Sequence, residues 1–359
     1  MHMADALLSP AIGGTMWAAS AATIAFCSKK VRNELDNSKI PLMGVLGAFI
    51  FAAQMINFTI PVTGSSGHLG GGLILSILLG PYAAFLTIAS VLVVQALFFA
   101  DGGLLALGCN IFNLGFFPAF IAYPLIYKKI IGEKPTASKI SVAAIIAAVA
   151  GLQLGAFAVV LETTLSGISS LPFSTFVAMM QPIHLAIGVV EGFVTASVVS
   201  FVYKARPEIM QSSAEEVTVE RHPIRSLLIT FMAVAFITGG IFSWFASEHP
   251  DGLEWSIEKV TGKGEIEGDS TGVHTMLGSL QEKLAFLPDY TFRKSVTATK
   301  EGGEPADIAS SHSTAESKDV SDEDTDKLGT SLSGIIGGLL SLAFAGIIGF
   351  ILKKRAQNS

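Results

Sequence analysis

Charge is scarce in this chain. Asp, Glu, Lys and Arg make up only 14% of its 359 residues, whereas 50% are hydrophobic and the mean hydropathy is +0.58. That balance excludes a soluble globular domain, and the long uncharged runs read as transmembrane helices. Cysteine is equally sparse. Cys27 and Cys109 both sit in apolar stretches and form neither a disulfide framework nor a CxxC site, so packing is their default role. Catalytic signatures are missing as well: there is no Gly-x-x-x-x-Gly-Lys-[Ser/Thr] loop, no His-Glu-x-x-His and no Gly-x-Ser-x-Gly. If the protein moves a solute uphill, the energy comes from another subunit or an ion gradient. The basic residues flank the apolar runs, which leaves nothing for nucleic acid. Glycine, by contrast, is abundant at 36 residues, as expected where helices in lipid approach closely.

The pattern predicts an all-α, polytopic helical bundle. Apolar spans fall near 10–28, 40–58, 70–80, 82–100, 103–127, 140–162, 182–203, 226–245 and 331–352. Basic clusters lie at Lys29/Lys30/Arg32/Lys39, Lys128/Lys129/Lys134/Lys139, Lys204/Arg206/Arg221/Arg225 and Lys353/Lys354/Arg355. Alternating passage places them all on one side, which the positive-inside rule makes cytoplasmic. This works only if Leu73 to Gly80 is a short segment that turns at Gly80-Pro81. Residues 1–205 then form a seven-span unit, 206–225 a polar cytoplasmic connector, and 226–359 a two-span unit. The latter brackets an extracytoplasmic acidic insert, 246–330, whose end from Thr297 to Lys327 is expected to be largely disordered. Two helices cannot bury a core alone, so they are expected to lean on the first unit or on another subunit.

The chain starts Met1-His2 without the basic region of a secretory signal, and the orientation above places Met1 outside. His2 is too large for the initiator Met to be removed readily. A second-position His offers a metal three nitrogens: the Met1 amine, the deprotonated His2 amide, and His2 Nδ1. Such a plane suits Ni(II) or Cu(II) before Zn(II). The alternative is a terminus that frays in solvent. His68 is the candidate for the fourth corner, in Thr59-Ile60-Pro61-Val62-Thr63-Gly64-Ser65-Ser66-Gly67-His68-Leu69-Gly70-Gly71-Gly72. Ser65 and Ser66 are placed to hydrogen-bond its free ring nitrogen. A Gly-rich turn with an interfacial His reads equally well.

Other polar groups have simpler readings. His184 and Glu191 share a helix face two turns apart. A packed structural pair is favoured there over a proton path or second metal site. Asn110 and Asn113 suit interhelical hydrogen bonding or support of the loops. Asp101 reads as a turn residue, and His222, His249, His274 and His312 as loop residues with no assigned role.

Four stretches together resemble one family. They are Met-His-Met-Ala-Asp-Ala-Leu-Leu-Ser-Pro, Ser-Ser-Gly-His-Leu-Gly-Gly-Gly, Gly-Cys-Asn-Ile-Phe-Asn-Leu-Gly and His-Leu-Ala-Ile-Gly-Val-Val-Glu-Gly. Across roughly residues 1–205 the chain resembles the CbiM/NikM family, the substrate-binding membrane component of energy-coupling-factor nickel and cobalt transporters. The remainder is similar to the small two-span PDGLE or NikN-like companion, here fused: Pro250-Asp251-Gly252-Leu253-Glu254 matches the PDGLE motif and Leu287-Pro288-Asp289-Tyr290 fits the same pattern.

The resemblance implies a seven-span capture protein whose N-terminus is tucked into the bundle. It implies metal ligation by Met1, His2 and His68. Its implied partners are a transmembrane coupling protein and ABC ATPases, which hydrolyse the ATP. The expected function is therefore a non-enzymatic transporter subunit in a prokaryotic plasma membrane, with the C-terminus cytoplasmic. It takes Ni(II) or Co(II), nickel slightly favoured, as cargo rather than as a resident cofactor. Two rival readings are an intramembrane metalloenzyme using His68, His184 and Glu191, and a metal sensor that signals through 246–330.

Overall fold

The computed structural model describes residues 2–34, 39–133, 135–169, 171–206, 224–263, 272–292 and 320–357. Every apolar run becomes a helix: α1 (Pro10–Glu34), α2 (Lys39–Gln54), α3 (Gly72–Leu79) and α4 (Pro81–Phe99) come first. Next, α5 (Leu107–Ile111) runs through a π-helical stretch (Phe112–Tyr127) into α6 (Lys128–Ile131). The long α7 (Ala137–Ser166) and α8 (Phe173–Ala205) follow, then α9 (Arg225–Gly240), α10 (Gly252–Thr261), α11 (Val273–Leu284) and α12 (Val320–Gln357). The only strands among the described residues are β1 (Phe58–Ile60) and β2 (Ser65–Gly67), a short antiparallel pair with Thr59 opposite Ser66.

Six of these stretches are long and apolar enough to cross a membrane, and α2 and α9 are shorter apolar helices. The protein is a multi-pass membrane protein with an all-α core. In hydrocarbon, each backbone N–H and C=O must find its partner within the helix, which favours unbroken helices even through proline. Pro182 accordingly lies inside α8, which starts at Phe173 rather than near 182. Pro118 and Pro124 lie in the π-helical stretch, whose wider turn accommodates the missing donors.

The short third span behaves as its length requires. It stops at Gly80, whose φ of 83° a side chain would strain, and Pro81 starts α4 immediately. The helices α3 and α4 pack against each other as a hairpin inside the bundle.

The second unit leans on the first. α9 and α12 pack on α2, and α12 also on α4, with Phe231 edge-on to Phe49 at 5.3 Å. Between them, α10 and α11 lie across the end of the bundle that carries the 58–71 loop and the N-terminal segment. Asp251 caps α10: its Oδ1 accepts from Leu253 N at 2.7 Å and Glu254 N at 2.9 Å, while Asp251 N donates to Glu254 Oε2 at 3.1 Å. This is a capping box, and it explains the Asp and Glu of Pro-Asp-Gly-Leu-Glu by local physics.

One expectation changes here, and another lies mostly outside the described residues: of the stretch 297–327, expected to be largely disordered, 297–319 is not described and α12 begins at Val320. His274 is not a loop residue: it sits in the first turn of α11, buried, with Nε2 2.9 Å from Leu8 O. His222, His312 and most of the connector, 207–223, lie outside the described residues.

Candidate metal centre

The N-terminal segment is threaded into the bundle rather than frayed. Met3 is fully buried. Its N–H donates to Asn110 Oδ1 at 2.8 Å, and its carbonyl accepts from Gly103 N at 2.9 Å and Asn110 Nδ2 at 3.3 Å. Asp5 Oδ1 accepts from Ala106 N at 2.9 Å. Asn110, on α5, thus reads the backbone of residue 3 from both sides and fixes where residue 2 must lie. Met1 itself lies outside the described residues.

Residue 2 lies against the loop histidine. The His2 and His68 rings are stacked, with centroids 4.9 Å apart and planes 7° from parallel. Both are nearly enclosed, His68 at 8% exposure and the His2 side chain at 7%. The ring of His68 has Nδ1 3.1 Å from Leu69 O. Burial pushes its pKa down to about 3, against the opposing pull of Asp251 and Asp101, so the ring is neutral at any physiological pH and suited to a metal.

Asp101 is more than a turn residue. It follows Ala100, which caps α4 in the left-handed region at φ 56°. Its Oδ1 lies 3.1 Å from His2 Nδ1, and Tyr290 of the second unit donates to its Oδ2 at 2.5 Å. Burial alone would raise the carboxyl pKa, but His2 and the Tyr290 hydroxyl hold it well below the usual carboxylate range. The phenol of Tyr290 is pushed well up by burial and by Asp101. His2 Nδ1, the ring nitrogen a planar chelate would use, is therefore engaged by a carboxylate, and Nε2 has no hydrogen-bond partner among the described residues.

The loop that carries His68 is tied down from two directions. From below, Glu191 on α8 accepts from Gly70 N at 2.8 Å and Gly71 N at 3.0 Å. Gln54 Nε2 donates to Gly70 O at 2.9 Å and is held by Gln95. From above, Pro250 O accepts from Ser66 N at 2.8 Å, and Trp255 Nε1 donates to Thr63 O at 3.0 Å. The serines do not reach the imidazole as expected: Ser66 Oγ donates to His249 O at 2.8 Å and Ser65 pairs with Thr63. Ser66 is drawn to the second unit and Ser65 to the turn within its own loop, and the ring takes the nearest carbonyl instead.

The paired reading of His184 and Glu191 also changes. Glu191 holds the 70–71 backbone and His184 bonds Met180 O at 2.8 Å, so each has a separate partner. Asn113 parts from Asn110 and donates to Glu162 Oε2 at 2.8 Å across the bundle. Glu191 thus serves the loop backbone, one oxygen to each amide.

A family model described as the cobalt uptake substrate-specific transmembrane region matches residues 2–209. The chain belongs to this CbiM family. A PDGLE domain model matches residues 225–354, so the two units are a CbiM-type region and a PDGLE unit in one chain. The chain is 37% identical over 217 residues to a putative metal transport protein of Haloquadratum walsbyi, covering 60% of this chain and 95% of that one. A putative fused nickel transport protein of Archaeoglobus fulgidus is 37% identical over 214 residues, covering 60% of this chain and 69% of that one. A fused nickel transport protein of Rhodobacter capsulatus is 28% identical over 293 residues, 76% of this chain and 81% of that one. Among solved structures, the crystal structure of a truncated transition metal transporter aligns with TM-score 0.51 and 31% identity, over 57% of this chain and 99% of that chain.

In this CbiM-family chain, sequence reasoning singled out His2 and His68, and the fold brings them into contact. It missed the roles of Asp101, Tyr290 and Asp251, and did not consider Glu162. The signal for Asp251 and Tyr290 was present in the two Pro-Asp motifs. For Asp101 there was none, because only the fold brings residues 2, 101 and 290 together.

Proposed function

We propose that this chain is the metal-capturing subunit of an ATP-driven transporter that imports Ni(II), or Co(II), held in a plane of four nitrogens. The stacked His2 and His68 rings, enclosed at one end of a bundle whose family is named for cobalt uptake, carry this reading. The four donors are the Met1 amine, the His2 amide nitrogen, His2 Nδ1 and the His68 ring. A half-turn of the His2 ring about Cβ–Cγ exchanges its edges. It releases Nδ1 to the metal and turns the Nε2 edge toward the carboxylate of Asp101, which then orients the ring from outside the ligand set.

The nitrogen plane acts as a filter. Zn(II) prefers a tetrahedron and Mg(II) wants oxygen ligands, so both are disfavoured. Nickel suits the plane best. The site end of the bundle faces outward and the basic clusters face the cytoplasm, where a coupling subunit and ABC ATPases supply the energy. The protein does no bond-making chemistry of its own. The test is metal content and absorption spectrum after exposure to equal Ni, Co, Cu and Zn. A yellow, diamagnetic nickel form is expected; tight retention of zinc alone would sink the proposal.

A further inference from the structure

Beneath His68 lies a second imidazole that metal capture does not use. His184, on α8, is fully buried. Its Nδ1 is 2.8 Å from Met180 O, one turn back along the helix. A carbonyl only accepts, so Nδ1 carries the proton and Nε2 carries the lone pair. That Nε2 is buried without a hydrogen-bond partner among the described residues. Buried acceptors are rarely left unmatched. One ring N–H on a backbone carbonyl with the other nitrogen unmatched is how metal-ligating imidazoles are held. His68 likewise has its Nδ1 against a backbone carbonyl, Leu69 O.

Both histidines line one cavity, with room for about a single water. A second cavity adjoins it, sharing Gly70, Leu114 and Leu152, and brings in Asn113 and Glu191. Asn113 Oδ1 is also buried without a hydrogen-bond partner among the described residues. Nitrogen and oxygen donors therefore line two adjoining cavities whose other walls are mostly apolar. Gly252 of the second unit closes the upper cavity without filling it. A Cβ there would meet Ile183 Cγ2 at 2.6 Å and His184 Cε1 at 3.2 Å.

We propose that His184 is a second-stage metal ligand, which takes Ni(II) or Co(II) from His68 on its way inward. The inference rests on the capture reading at His68. A chelate of several nitrogens is released by replacing its donors one at a time. A cation entering an apolar cavity needs a new donor before the old ones leave. The Nε2 lone pair of His184 supplies it before the nitrogens of the first site let go.

The test uses the full chain assembled with its coupling subunit and ATPases in proteoliposomes, with radioactive nickel as the probe. His184→Gln keeps a donor for Met180 O but has no ring nitrogen. Equilibrium nickel content should stay at the wild-type level, while uptake at saturating nickel falls by about tenfold or more. A purely structural role would not separate these two readouts. Uptake at the wild-type rate, or nickel content lost in parallel with uptake, overturns the proposal. If His184→Gln does not fold, Gly252→Ala crowds the same ring from the second unit and should show the same split; unchanged uptake in that variant also overturns it. His68→Ala separates the two readings: if it binds nickel normally, the capture reading fails rather than the handover.

Discussion

At the scale of single residues, the proposed plane takes two of its four nitrogens from the backbone. Adding one residue before Met1, or acetylating it, removes a corner of the plane and changes the amide register. Nickel binding should collapse with no side chain altered, and equilibrium dialysis of the extended protein checks this. His2→Ala removes a ring ligand and breaks its chelate, so binding should vanish. His68→Ala leaves three corners, and the affinity should drop by on the order of several kcal/mol, a lost metal–ligand bond. The protonation of His68 gives a pH signature. Its folded pKa of about 3 lies below the ordinary 6.5, so the unfolded chain binds the extra proton between those values. The contribution to stability is complete above pH 6.5 and is lost as the pH falls toward 3. Melting curves should therefore flatten over that window in His68→Gln. Because His68 is already neutral near pH 7, protons released on metal binding come from elsewhere. The amine, which ordinarily titrates at roughly 7.7–8.0, and the amide are the named sources. Calorimetry in buffers of different ionisation enthalpy should count more than one proton per metal; fewer would exclude a deprotonated amide with a freed amine.

At the scale of elements, three structures converge on the two histidines. The end of α4 presents Asp101, the 288–290 turn presents Tyr290, and α8 presents Glu191 to the loop backbone. Tyr290 also stacks on Phe99 at 5.1 Å, so the turn that carries it is seated by an aromatic cluster on α4. Tyr290→Phe keeps that packing and removes only the 2.5 Å hydrogen bond to Asp101. Leaving a fully buried polar group short of a donor costs about 1–3 kcal/mol, and the half-buried carboxylate of Asp101 should show the lower part of that range. Part of that cost should appear as weaker nickel affinity if Asp101 orients His2. A double-mutant cycle with Asp101→Asn decides the point: strictly additive losses would mean that the phenol and the carboxylate act independently. Glu191→Gln leaves one oxygen for two amide donors, so the 70–71 backbone should loosen and bound nickel should dissociate faster.

At the scale of the whole molecule, the PDGLE unit is both a pair of helices on the outside of the bundle and a cover over the site. Its helices bury apolar surface against α2 and α4. Its 247–257 segment accepts from Ser66 and donates to Thr63, and Ser247 N donates to Asn57 O at 2.7 Å. Gln281 Nε2 reaches the carbonyls of Ala96 and Gly102 at 2.9 and 2.7 Å. So many contacts should hold the two units together without a covalent link. A protease site placed within 207–223 and then cut should yield two fragments that still co-elute in mild detergent and still bind nickel. Separation of the fragments on cleavage would show that the connector, not the interface, keeps the cover in place.

Much of this was legible in sequence because membrane helices are local objects. An apolar run in lipid has no alternative to satisfying its own backbone, so α1, α4, α7 and α12 followed from composition, and the α3–α4 turn from Gly80-Pro81. His2 and His68 could be singled out for the same reason, since a second-position His and a Gly-flanked His are features of short segments; their stacking is what the fold adds. The exact helix starts were not. Pro182 looks like a boundary in sequence, but the packed interior carries the helix through it. The partners of the site were not legible either. Asp101, Glu191 and Tyr290 act on residues 2, 70, 71 and 101, across separations of about a hundred residues or more. A carboxylate or phenol in an apolar chain must find a partner somewhere. Local sequence dictates that need; only the packing of the helices decides which atom meets it.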